Sequence, residues 1–198
     1  MTPRRREALH RVGTAAALAA VIATASLILR TAPTESEWQA PIEVHGRIGE
    51  EVRGRNVAVT VEDVRAARSV TASNGWVGET TGAWVVVDVT AEAVVTEYAA
   101  GLRTAELVLG EDVYSASTRP GLATVADRPL AVGIPVHGPL MFEVPRDAVP
   151  AASAADAVVR LAATDDARTD SLLVIPVDLS RLSVADAVTT DEPVEGRR

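Results

Sequence analysis

Histidine titrates near neutral pH and ligates metals, so the chemistry open to this chain starts with its three histidines. His10 lies in a basic leader, which leaves His45 and His137, and neither has a second ligand at a metal-binding spacing. Both fall in Gly- or Pro-flanked stretches that read as loops. Asp165, Asp166 and Asp170 make an acidic turn with oxygen ligands of the kind calcium takes. Calcium needs about six to eight of them, and the alternating Asp/Asn pattern of a calcium loop is absent. Cys is 0, which excludes a thiolate nucleophile, thiolate-bound zinc, iron–sulfur ligation, disulfides and a lipid-modified cysteine. Nucleophile-elbow, P-loop, dinucleotide and His-Glu-x-x-His patterns do not occur. A paired-carboxylate glycosidase needs aromatics to stack on sugar, and the core claims most of the Trp, Tyr and Phe available here. The sequence therefore predicts no catalytic residue, no metal site and no cofactor. Trp76 stands apart: a large aromatic in the Gly-rich segment 71–82 either anchors a partner or folds back over the open end of the domain.

What must position these residues follows from hydropathy. Residues 1–11 carry Arg4, Arg5, Arg6 and Arg11 against Glu7, and an uncharged apolar run follows up to Arg30. Eighteen residues of helix span about 27 Å against a hydrocarbon thickness of ~30 Å, so segment 12–30 is read as a transmembrane anchor in the lipid bilayer. The basic flank places residues 1–11 in the cytoplasm and everything after Arg30 outside. Ala23-Thr24-Ala25 before Ser26 has the small-residue spacing of a signal-peptidase site, so a cleaved signal and a soluble product form the competing reading. A twin-arginine signal fits less well, because Ala8 stands where a bulky aromatic belongs.

Removing residues 1–30 takes away five arginines and one glutamate, leaving 14 basic against 26 acidic residues, a formal −12. That charge disfavours nucleic acid and anionic lipid headgroups as partners of the exported part. Residues 31–41, with Pro, Thr, Glu and Trp38, read as an extended tether, Trp38 lying at the interface or on the domain.

From Asn56 the period becomes two, with Val57, Val59 and Val61 on one face. The apolar positions then move to Val64, Ala66 and Val70, which predicts a bulge near Glu62 and Asp63. Ala83, Val85, Val87, Val89, Ala91, Ala93 and Val95 define a long central strand, with Trp84 as a core plug covered on the opposite side. A hairpin turns at Gly110-Glu111-Asp112. Segment 118–137 reads as a loop with at most one short strand around 130–132, and 146–156 as a turn of helix limited by Pro150. Further strand faces are Leu140, Phe142, Val144; Ala157, Val159, Leu161; and Leu173, Ile175, Val177, Leu179. The acidic tail 183–198 loses periodicity and is expected to be disordered.

About seven to eight strands without an amphipathic helix predict an all-β, immunoglobulin-like antiparallel β-sandwich over residues 42–182, preceded by one N-terminal transmembrane helix. The stretches RIGEEVRGRNVAVTVEDV, GAWVVVDVTAEA, LRTAELVLGEDVYSAS and GIPVHGPLMFEVP, in that order, resemble the bacterial immunoglobulin-like domains known as domain of unknown function 4352. The chain departs from many of them in lacking the lipid-modified cysteine and in having Ala91-Glu92-Ala93 where an Asn commonly follows the central strand. The resemblance implies an exported, membrane-associated sandwich and brings no catalytic residues. Together these readings predict a non-enzymatic extracytoplasmic module of the cell envelope, in contact with another envelope protein.

Overall fold

The computed structural model describes residues 3–31, 39–95, 101–149, 151–168 and 170–196. Residues 32–38 of the expected tether, Trp38 among them, lie outside the described residues. The chain forms two compact units, Met1–Gln39 and Ala40–Arg198.

The first unit is a helix, α1 (Pro3–Thr31), rich in Ala and Leu, which lose little side-chain freedom in a helix. Pro3 opens it, where a missing N–H leaves no bond unmade. Thr24 donates its hydroxyl to the Ala20 carbonyl at 2.9 Å, a bond that satisfies a polar group on an apolar helix. Gly13–Arg30 has a mean hydropathy of 1.7 and no buried residue, so α1 is long and apolar enough to cross a membrane.

The second unit is built of strands: β1 (Ile42–His45), β2 (Glu51–Arg53), β3 (Val57–Thr71), β4 (Val77–Ala93), β5 (Thr104–Leu109), β6 (Asp112–Ser115), β7 (Val136–Val144), β8 (Ala157–Ala162), β9 (Ser171–Val177), β10 (Val184–Thr189) and β11 (Val194–Glu195). They form two sheets, β1-β9-β8-β5-β6 and β10-β3-β4-β7-β11, with β2 also paired to β3. The core order, β3-β4-β7 against β6-β5-β8-β9, is that of an immunoglobulin-type sandwich. Alternate residues of both sheets meet between them: Val57, Val59, Val61, Val85, Val87, Val89, Leu140 and Phe142 from one, Leu107, Val159, Leu161, Leu173 and Ile175 from the other. Each such side chain removed from water contributes roughly 1.5–3 kcal/mol.

The predicted bulge is present, as a register shift between Val61 and Asp63. A second shift lies further along. Ala67 faces Trp84 and Ser69 faces Glu79, so β4 advances five residues while β3 advances two. The surplus bends the β3–β4 hairpin at Gly82, where an added Cβ would lie 2.1 Å from the Val144 carbonyl oxygen.

Several expectations need correction. The described strands number eleven rather than seven or eight, and the sandwich is not wholly antiparallel, since β1 pairs β9 and β10 pairs β3 in parallel. The tail expected to be disordered supplies β10 and β11, which border opposite edges of the second sheet. These strands escape a periodicity search for a physical reason: neither face of an edge strand is fully covered, and β10 shows no alternating burial. Segment 71–82 is a loop only at its tip, because β4 starts at Val77. The helical turn in 146–156 is a 3₁₀ turn at Ala152–Asp156, and Pro150 lies outside the described residues.

Candidate functional site

Trp84, Val86 and Met141 point away from the inter-sheet core, onto the outer face of β3-β4-β7. An apolar outer face needs a cover, and the bent hairpin tip provides one. Val70 and Ala72 come down on Trp84 and Met141, Ala123 of the 3₁₀ turn Gly121–Ala123 closes from the far side, and Trp76 and Val188 pack against the cluster. Trp76 lies edge-on to Trp84, with ring centroids 5.6 Å apart and planes at 89°, the T-shaped geometry that ring quadrupoles favour. The Arg119 guanidinium sits 5.7 Å from the Trp76 centroid and 5.1 Å from that of Trp84. It also donates to the Glu143 carboxylate, and its Nε to Ser117 Oγ at 3.3 Å.

The tip is tied down by main-chain chemistry as well. Asn74 accepts from the Trp76 N–H at 3.0 Å and donates Nδ2 to the Pro120 carbonyl at 2.8 Å. Gly75, at φ 85, supplies the left-handed residue of the turn. Trp76 therefore folds back, as one of its two readings has it, but over the outer sheet face and not the open end between the sheets. It remains half-buried, with exposed Val77 beside it. Between the tip and the Gly121–Ala123 turn lies a cavity of about 190 Å³ bordered by Ser73, Asn74, Leu122 and Arg128. Leu122 is exposed, so aromatic, aliphatic and guanidinium surface meet at one end of the molecule.

The other end of the same face is polar. His137 Nδ1 lies 3.3 Å from Glu62 Oε2 and 3.2 Å from Thr90 Oγ1, while Thr90 donates to Glu62 Oε1 at 2.5 Å. Next to them Arg65 Nη2 donates to Asp88 Oδ2 at 2.5 Å. Burial pushes the Asp88 carboxyl above its ordinary range, with Arg65 pulling it back.

Both His45 and His137 sit in strands, not loops, and on different sheets. His45 Nε2 meets Glu43 at 3.2 Å on an exposed edge. Among the described residues no group of three or more His, Cys, Asp or Glu could hold a metal. The acidic turn is split by its own bonds. Asp166 pairs with Arg168 at 2.5 Å, and those hydrogen bonds hold its carboxyl below the usual range. Asp170 instead caps β9, accepting from Asn56 Nδ2 and from the Ser171 N–H, each at 2.8 Å. Sequence reading did not find Arg119 or Glu143. Nothing local marks Arg119, and its role arises only because the 118–130 segment is laid beside the hairpin tip.

The fold and this outer-face cluster define a β-sandwich preceded by an apolar helix. No protein-family model matches the chain, and no curated protein matches it. Among solved structures it is similar to an uncharacterized beta-sandwich protein from Clostridium difficile 630, at 13% identity and a TM-score of 0.46, over 74% of this chain and 99% of that one.

Proposed function

We propose that this chain is a single-pass membrane protein, N-terminus in the cytoplasm, that presents its sandwich outside the cell membrane as a non-enzymatic contact module for another envelope protein. The observation that carries the reading is α1, whose 18-residue apolar window has no buried residue and is preceded by four arginines. Such a surface needs lipid, and the arginines hold the short N-terminal flank on the cytoplasmic side. The resemblance to domain of unknown function 4352 supports the same placement. Trp76 with Val77 and Leu122 is the contact surface, because a half-exposed aromatic on a braced tip gives large apolar area at little loss of conformational freedom.

The test has two arms. Membrane fractionation with N-terminal sequencing of the mature protein is expected to recover a membrane-bound chain that retains residues 12–30. A soluble product beginning at Ser26 would replace this reading with its rival, a secreted module that binds a small ligand or ion, which the Ala23-Thr24-Ala25 spacing favours. In the second arm a photoreactive residue at position 76 is expected to capture one envelope protein in intact cells. Equal capture from a position on the Asp166 turn would remove Trp76 from the interface.

A further inference from the structure

β10 is the long edge of the second sheet, and little side-chain packing holds it. Val184 and Val188 are half-buried and its other four residues are exposed, although Ala66, Ala67 and Val70 opposite them are buried. Apart from Val184 against the inter-sheet core and Val188 against the Trp84 cluster, what keeps β10 in place is main-chain pairing in a defined register, with Val184 beside Ala66, Ala187 beside Ser69 and Thr189 beside Thr71. The polar contacts around it are exposed: Arg68 Nη1 to Asp186 Oδ1 at 3.1 Å, and Ser69 Oγ to the Asp186 carbonyl at 3.1 Å. Exposed ion pairs of this kind add little. Just beyond, the Thr190 N–H donates to the Thr71 carbonyl at 3.0 Å. Its buried hydroxyl finds no hydrogen-bond partner among the described residues, an unfavourable feature at the end of the strand.

The chain before β10 is anchored. Leu179 is fully buried and its N–H donates to the Ala154 carbonyl at 2.9 Å, so residues 180–183 form the link between a fixed point and a lightly held strand. Elements with few buried contacts open at free energies well below that of global unfolding. An opened β3 edge offers a row of unpaired N–H and C=O groups to any extended segment. The segment that already matches it is this one: small Ala185 and Ala187 stand in register with Ala67 and Ser69, and Val188 packs against the Trp84 cluster.

We propose that residues 184–195 exchange between two copies of this chain, β10 of each completing the β3 edge of the other and β11 the other's β7 edge. Only link 180–183 must take a new path, since the pairings of the closed form are rebuilt between copies. The inference goes beyond the membrane placement and does not depend on it.

The chain has Cys 0, so introduced thiols report alone. One copy carrying Ser69→Cys and another carrying Ala187→Cys, full-length, are co-expressed, brought into detergent micelles and mildly oxidised. Exchange predicts a linked heterodimer several-fold more abundant than either homodimer. The same result is expected from Thr71→Cys with Thr189→Cys, the second pair in register, which guards against one variant misfolding. Heterodimer no more abundant than the homodimers for both pairs, together with complete closure within single chains when both cysteines are in one copy, would overturn the proposal.

Discussion

Between the sheets, Val, Leu, Ile and Ala from alternate strand positions build a core supplied by every central strand. On the outer face of β3-β4-β7 a second and smaller core gathers Trp84, Met141, Val86 and Val70 under the hairpin tip, with Trp76 and Arg119 above it. Residues 83–87 of β4 serve both, one face to each. The inner core is redundant, since many aliphatic pairs back each other. The outer one depends on a few large rings and on a bend in one hairpin, so single changes should reach it selectively.

Val87→Asp should have the largest effect. It places an unpaired carboxylate at a fully buried position opposite Leu140, at a penalty above about 4 kcal/mol, and cooperative loss of the far-UV β signal is the expected readout. Trp84→Ala comes next, at about 3–5 kcal/mol by chemical denaturation, with the sandwich spectrum retained. If Trp84→Ala abolished the fold as Val87→Asp does, the two cores would be one cooperative unit. Gly78→Ala sharpens the contrast, because an added Cβ would meet Trp76 at 2.5 Å and Trp84 at 2.9 Å. Overpacking here should take about 1–3 kcal/mol and shift tryptophan fluorescence to the red, as the tip lifts without loss of β structure.

The polar end of the face gives a smaller, pH-dependent effect. Asp88 has a raised carboxyl pKa, chiefly from burial, so between its ordinary and raised values the folded chain holds more proton than the unfolded one. Stability from this group therefore grows as pH falls through that window and is lost as pH rises above it. Urea midpoints measured against pH should show this gain for the natural chain and not for Asp88→Asn. Asp166→Ala should be smallest of all. Its pairing with Arg168 is local and exposed, and an unchanged melting temperature is expected. A fall as large as that from Gly78→Ala would mean that the turn braces β8 and β9.

How much of this was legible follows from the physics of each element. Strand β4 was readable because its inner face is apolar without a break from Ala83 to Ala93, and β5 because its burial alternates, and a period of two records both directly. The bulge at Val61 and Asp63 showed as a change of apolar parity. β10 and β11 left no such mark, since edge strands are held by backbone bonds that any sequence can make. Trp76 announced itself as an aromatic in a Gly-rich tip, but its orientation did not, because Trp84 and Arg119 reach it from separate parts of the chain and Glu143 holds Arg119 from a third.

The amino-acid order alone settled an apolar helix near the N-terminus and a sandwich with Val-rich inner faces, because burial pattern is a property of consecutive residues. Only the tertiary structure decided that the chain's last strands border the second sheet and that two tryptophans share one guanidinium. Those contacts join residues far apart in sequence, and the energies that select them exist only once the sheets have formed.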